Sequence, residues 1–501
     1  FERVEVLRGA SAFLTGANPG GGGLGGSVNL LPKRAPNDPL TRATVSIASG
    51  SQKNASVDLA RRFGPDDSTG MRFNAAWHDG GSAVDNEQSQ LGLAALGLDW
   101  RSSNVRLSAD LGWQDNKLDR TRPNVTLGPV SFVPRPPDPD TNFAQPWSFS
   151  NERDVFGTLR GEYDLTSAVT AWAAWGMRKT KEANSLANLT VTDASTGDGN
   201  FSRFDNTRED TISTGELGLR GKLRTGPVGH EWVLAAAYFR DRRSNAFAFD
   251  FANVFPNNLY RPQFFPQPAF SPATFLGNEL DSPELTNRIT LISYAIGDTL
   301  SFFDDVLLLT LGARHQQLKI ENFAFNTGAP SPVYDKSRVS PAVGVVYKPT
   351  KQWSLYANYI EGLTQGDTAT GNPPPVNTGQ LLSPFITKQK EVGVKFDAGR
   401  PVKRSAGNLV DNPSFEKNVA GWNAWQATIA RRDDNRAPHG AFIVRVVSTR
   451  GKAFAFAQNQ PVQVAGWPKG SQLRGRAVVR AANPRSVGKV VVIRLRQRGP
   501  S

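Results

Sequence analysis

Two aromatic-rich stretches carry the side chains best suited to holding a ligand. Residues 243–286 contain Phe247, Phe249, Phe251, Phe255, Tyr260, Phe264, Phe265, Phe270 and Phe275, with Arg243 and Arg261 beside them. Residues 116–152 add Arg120, Arg122, Phe132, Arg135, Phe143, Trp147 and Phe149. Aromatic faces stack on flat groups and guanidinium groups pair with anions, so the set suits flat, anionic ligands. Arg122, Trp147, Phe255, Tyr260, Arg261, Phe264 and Phe265 are the candidate ligand contacts. The alternative for any single aromatic is an interfacial girdle or ordinary loop packing. Other chemistries find few residues. Cysteine is absent, and His78, His230, His315 and His439 lie far apart. No Ser/His/Asp set, paired-carboxylate cleft or metal cluster stands out, so no enzyme is expected. The glycine-rich stretch Gly16–Gly26 lacks the Gly-Lys-Ser/Thr of a phosphate loop and has no βαβ context. It reads as a loop packed closely against something else.

The elements that must position these residues are strands. Mean hydropathy is −0.40. No apolar run reaches the roughly 18 residues of a helical span. From 41 to 397, segments alternate in polarity and are rich in β-branched and aromatic residues. Fourteen strands are expected, near 41–49, 53–63, 70–79, 91–100, 105–115, 153–163, 167–179, 208–222, 229–242, 287–301, 305–321, 336–348, 353–363 and 386–397. Their connections alternate between tight turns and long loops, the latter at 80–90, 116–152, 180–207, 243–286, 322–335 and 364–385. Long loops gathered at one end are the pattern of an outer-membrane barrel. A soluble β-sandwich or repeat array is the competing architecture. The fold expected is all-β: an incomplete transmembrane antiparallel barrel of about fourteen strands, then a small β-sandwich.

Charge marks a boundary. Residues 401–501 hold 18 Lys+Arg against 4 Asp+Glu, whereas the first 400 hold 40 against 41. The basic surplus belongs to the last fifth alone, so nucleic acid is not an expected partner of the whole chain. Residues 398–407 read as a linker to a second domain at 408–501.

Val4–Gly9 (VEVLRG), then Gly16, Pro19-Gly20, Gly25–Asn29 (GGSVN) and Lys33-Arg34, resemble the end of the plug domain of TonB-dependent siderophore receptors. Ala10 stands where that family usually has Pro, and Leu14-Thr15 where Leu-Tyr is usual. Ser340–Pro349, Leu355–Tyr359 and Lys390–Phe396 are similar to later barrel strands of the same family. The resemblance implies residues 1–36 as plug end and 37–397 as part of the barrel. It implies an outer-membrane receptor of a Gram-negative bacterium that imports a ferric siderophore, driven by the TonB complex, with the lipid bilayer as its other partner and no cofactor. It also implies an ion pair between Arg8 of the plug and Glu391 of the wall; alternation in 386–397 turns Val392, Val394 and Phe396 to lipid and Glu391 inward. The family's barrel is larger and its energy-coupling motif precedes the plug, so the expectation is a piece truncated on both sides. Such a piece would not transport by itself, and the joint near 398–407 would be a chimeric or assembly junction.

Asn408–Glu416, Gly421-Trp422 and Trp425 resemble the opening of a carbohydrate-binding-module-like β-sandwich. That resemblance implies Trp422, Trp425 and Trp467 as sugar-stacking residues, Asp411 and Glu416 as Ca²⁺ ligands, and a polysaccharide partner. It supports an alternative function, a secreted or surface carbohydrate-binding or adhesion protein working through 408–501.

Overall fold

The computed structural model describes residues 1–17, 25–350, 352–371, 373–397, 419, 422–425, 427–433, 442–448 and 455–458. The chain forms two compact units, Phe1–Phe396 and Asp397–Ser501. The first begins with a hairpin of β1 (Arg3–Arg8) and β2 (Gly26–Leu31), with a one-turn helix α1 (Ala12–Thr15) between them. The remaining strands are β3 (Leu40–Ala48), β4 (Gln52–Phe63), β5 (Thr69–Gly81), β6 (Gln88–Arg101), β7 (Val105–Asp119), β8 (Val125–Leu127), β9 (Phe149–Asp164), β10 (Val169–Val191), β11 (Asp198–Thr225), β12 (Val228–Asn258), β13 (Phe275–Gly277), β14 (Glu284–Phe302), β15 (Leu307–Asn322), β16 (Tyr334–Tyr347), β17 (Trp353–Thr364) and β18 (Phe385–Phe396).

These form one sheet. Its path runs from β3 to β18 in chain order, skipping only β8 and β13, which attach to β10 and β12. All fourteen expected strands are on that path. At one end every connection is short: 64–68, 102–104, 165–168, 226–227, 303–306 and 348–352. The other end carries the long ones, 120–148, 259–283, 323–333 and 365–384, together with a tight turn at 49–51 and six-residue turns at 82–87 and 192–197, the first of these shorter than the loop expected at 80–90.

Strand lengths depart from the sequence reading. β10, β11 and β12 run for 23, 28 and 31 residues. Crossing a bilayer takes about 9–11. Most of the expected loop 180–207 and the first part of the expected loop 243–286, through Asn258, are therefore strand, continuing past the membrane as a three-stranded projection. The reason is visible at Ala246-Phe247-Ala248-Phe249, where small and aromatic residues alternate with period two just as in the strands below.

Register separates two faces. Paired residues lie on the same side of an antiparallel sheet, so the series Asp58, Asn74, Asp110, Thr158, Glu216, Arg314, Gln389 and Glu391 occupies one face. The opposite face is apolar and bare: Leu98, Leu111, Leu159, Trp175, Leu217, Leu234, Ile296, Leu311, Val343, Leu355 and Val392 are all exposed. Soluble proteins do not display an apolar face of this extent to water. A lipid-facing wall does. Among the described residues no helix is long and apolar enough to cross a membrane. The second unit contributes short antiparallel pairs: β19 (Trp422–Trp425) with β22 (Ala455–Gln458), and β20 (Ala427–Asp433) with β21 (Phe442–Ser448).

The two faces should differ in their tolerance of charge. Leu217→Arg, on the bare face, is expected to cost up to about 4 kcal/mol in urea titrations of the chain folded into lipid vesicles. Thr214→Arg, one pleat away on the polar face, is expected to cost under about 1 kcal/mol. Equal losses would remove the assignment of faces.

Candidate functional site

The polar face is a seat for the N-terminal segment. Lys33 donates to Asp58 at 2.8 Å and to Asn74 at 3.1 Å. Arg34 holds both carboxylate oxygens of Asp110, one at 2.8 Å. Arg72 of β5 donates twice to Asp58, each at 2.8 Å, once to the Arg34 carbonyl at 2.9 Å and once to Glu2 at 3.2 Å. Arg62 bridges Asp99 at 2.7 Å and the Ala35 carbonyl at 3.0 Å. Asp58 and Arg72 are buried. Two bonds to one planar carboxylate fix orientation as well as distance, so the chain is bolted to the wall just before β3 begins.

The helical turn is seated by shape. Ala12 and Ala17 pack with Ile289, Leu318, Ile320, Tyr334 and Leu363 in a buried cluster. Phe13 lies against Gly297 and Gly312, which face each other across β14 and β15. A Cβ at Gly312 would come within 2.4 Å of its ring, so only glycine leaves this notch open.

The Arg8–Glu391 ion pair is not formed. Arg8 is exposed at the end of β1, paired across the hairpin with Gly26. Glu391 instead accepts from the Tyr356 hydroxyl at 2.8 Å, from Gln389 at 3.3 Å and from Asn358 at 3.5 Å. The chain turns at Gly9, and what reaches the wall is backbone: the Ala10 N–H donates to Gln389 Oε1 at 2.8 Å. The turn swings the Arg8 side chain away while bringing its neighbours to β18.

Above the membrane the projection has two unlike faces. The face continuous with the polar one bears Phe204, Phe247 and Phe249, joined by Phe275 and Phe325; Phe247 meets Phe325 edge-on at 4.9 Å and Phe275 at 5.5 Å, and Phe204 lies 5.8 Å from Phe249. These rings are half-buried or, for Phe275, exposed. The opposite face bears Phe201, stacked on Phe255 at 5.3 Å, with Trp147 at 6.4 Å and Phe265 at 5.8 Å. Of the candidates drawn from the sequence, Trp147, Phe255, Phe264 and Phe265 thus come together, and Pro146, Trp147, Phe264, Phe265, Pro266 and Gln267 line a cleft of about 430 Å³. Their cluster lies on the face turned away from the polar one. Arg122 and Tyr260 act as staples: Arg122 donates to the carbonyls of Pro139 and Thr141, and the Tyr260 hydroxyl to that of Arg135. Arg261 is exposed, and its N–H caps onto Asn258.

Sequence reasoning missed the knots that hold the loops. Buried Asp250 accepts from the N–H groups of Ala252, Asn253 and Ser271, the Ser271 hydroxyl and the Asn253 amide. Burial alone would raise its pKa, but these donors outweigh it and bring it down to about 2. Asn278 and Asn326 each donate a backbone N–H to the other's Oδ1, at 2.5 and 2.6 Å, clasping two loops together. Among the described residues no group of His or acidic side chains is arranged to hold a metal. Trp422 is half-buried on β19, and Trp425 lies on the same strand. Trp467, Asp411 and Glu416, and the linker and joint near 398–407, lie outside the described residues.

A two-faced antiparallel wall with a polar, plugged side is the architecture of a transmembrane β-barrel. The model of the TonB dependent receptor-like β-barrel family matches residues 18–402, and the chain belongs to that family of outer-membrane proteins. It is 36% identical over 407 residues to the ferrichrome receptor FcuA of Yersinia enterocolitica, covering 80% of this chain and 52% of that protein. The probable TonB-dependent siderophore receptor PiuA of Acinetobacter baumannii is 23% identical over 434 residues, covering 79% and 56%. The crystal structure of BauA, the ferric preacinetobactin receptor of the same organism, superimposes with a TM-score of 0.69 at 34% identity over 79% of this chain and 57% of that one. The chain thus spans about half the length of the curated relatives it matches. The family match stops at residue 402, before the second unit's tryptophans.

Two outcomes test this geometry. Arg72→Ala leaves the buried Asp58 carboxylate with Lys33 alone and is expected to cost up to about 3 kcal/mol in urea titration, a loss that Arg72→Lys restores in part; a change below about 1 kcal/mol would show that the network does not hold the segment. For Asp250 the folded pKa lies below the ordinary value near 3.9. Its stabilisation is therefore present above about pH 4 and disappears as pH falls toward about 2. Hydrogen exchange at residues 250–271 is expected to accelerate across that interval, and Asp250→Asn to abolish the pH dependence.

Proposed function

We propose that the chain is the plug end and a large part of the barrel of an outer-membrane receptor that imports ferric siderophores, energised by the TonB complex. The observation that carries this is the two-sided wall: apolar outside, polar inside, with Lys33, Arg34 and Ala35 bolted into the polar side. The names of the relatives support the ligand class, since FcuA is a ferrichrome receptor and BauA a ferric preacinetobactin receptor. Receptors of this kind move a ligand and break no bond in it, which agrees with the scarcity of catalytic groupings in the sequence.

The ligand is captured on the inward face of the projection, at Phe204, Phe247, Phe249 and Phe275, because only that face leads down to the lumen. The Trp147–Phe255–Phe265 cluster on the other face stiffens the projection. Carbohydrate binding through 408–501 is not favoured, since the family assignment rests on the other four-fifths of the chain.

Ferrichrome titrated into the detergent-solubilised chain, followed by quenching of tryptophan fluorescence, tests this. Removing two stacking rings should weaken binding by about 1–3 kcal/mol, so Phe247→Ser with Phe249→Ser is expected to raise Kd about fivefold or more. Phe265→Ser should lower stability with little change in Kd. Loss of binding through Phe265 but not through Phe247 and Phe249 would overturn the choice of face.

A further inference from the structure

Several arginines at the inward face are matched. Arg34, Arg62, Arg72, Arg106 and Arg208 each hold a carboxylate. Arg314 does not. It is only 8% exposed, yet among the described residues it has no hydrogen-bond or ion-pair partner, and its Nε is buried and unsatisfied. The charge of Glu216 reaches it, but that carboxylate accepts from the Trp172 indole at 2.5 Å. Beside Arg314 on the same face stand Gln316 and Ser340, 1% and 0% exposed. Gln316 donates to the Ser340 hydroxyl at 3.0 Å, and its own Oε1 is buried without a partner.

A buried guanidinium with no counter-charge is costly, and removing it would be the simple remedy. The lid over it explains why it persists. Gly16 sits directly above: a Cβ there would lie 3.1 Å from an Arg314 terminal nitrogen and 3.7 Å from Gln316 Oε1, and its φ of +82° favours glycine. Gly16 follows α1, which is held in place by Phe13 in the Gly297/Gly312 notch rather than by charge. Residues 33–35, by contrast, are bolted by the ion pairs described above.

We propose that Arg314, Gln316 and Ser340 form a latent oxyanion site on the lumen wall. It is closed by Gly16 while residues 12–17 are seated, and it is presented to an anionic oxygen of the passing ferric chelate once they move. The guanidinium supplies the charge, the Ser340 hydroxyl turns to donate, and the Gln316 carbonyl accepts from a hydroxyl of the ligand. No bond is made or broken. The inference rests on the transport reading for its ligand, but its test does not pass through uptake or through the aromatic face.

The test is modification of the full chain in detergent with phenylglyoxal, an arginine-selective dicarbonyl, mapped by mass spectrometry. In the wild type Arg314 should stay unmodified while exposed Arg261 reacts. Phe13→Ala empties the notch and should raise the rate at Arg314 at least tenfold, with Arg72 still protected as proof that the seat is intact. Should Phe13→Ala unfold the chain, Phe13→Leu serves in its place. Ferric citrate should then slow modification of Arg314 but not of Arg261, at lower concentration than inorganic phosphate does, and Gln316→Ala should weaken that protection. Failure of Arg314 to react after the notch is emptied, no protection by either probe, or protection by phosphate alone would overturn the proposal.

Discussion

The seat of Lys33, Arg34 and Ala35 on Asp58, Arg62, Arg72, Asp99 and Asp110 is the constraint on which the rest of the structure turns. Charges held away from water must be matched, and here each is matched by a residue distant in sequence. That matching places residues 33–35 on one face of the sheet and thereby defines the inside. With the inside defined, bare leucines and tryptophans opposite are a lipid-facing wall, and the longer strands rising from it acquire an inward and an outward side.

The two holds on the N-terminal segment differ in kind. Near residue 34 it is charge, directional and bidentate. At α1 it is fit alone: an aromatic ring in a slot made by two glycines, and a small apolar cluster. Dispersion and apolar contacts fade as soon as the ring leaves its slot, whereas ion pairs resist until they are broken one by one. A segment held this way loosens first around residues 12–17 and last at 33–35. Arg314 lies under the part that loosens first.

Strand number and order were legible because alternation is a local signal and the turns carry their own chemistry. The lengths of β10, β11 and β12 were not, because 180–207 and 243–286 are as rich in polar and turn-forming residues as loops are, although the period-two pattern runs on through Phe247 and Phe249. Pairings such as Arg34 with Asp110 were invisible for another reason: nothing in either neighbourhood specifies a partner 76 residues away. The same limit explains Arg8 and Glu391. Family resemblance brought the right regions together, since Ala10 does bond to Gln389, but the turn at Gly9 decides which atoms meet. Aromatic richness marked the right loops, while the face each ring occupies follows from register and so could not be read from composition.

That register also gives the projection a division of labour. On its outward side Asp250 and the Trp147–Phe201–Phe255–Phe265 cluster tie the connections 120–148 and 259–271 down onto β11 and β12, and Tyr260 ties the two connections to each other. On its inward side the Asn278–Asn326 clasp fixes the loops that carry Phe275 and Phe325 beside Phe247. Rings held in place before a ligand arrives lose little freedom when it binds, so more of the stacking energy appears as affinity. A mobile loop with the same aromatic content would have to be ordered at that moment. The projection is therefore better described as a stiff wall with an aromatic inner surface than as a set of mobile loops. The step that remains for movement is the one below it, where α1 is held by shape alone.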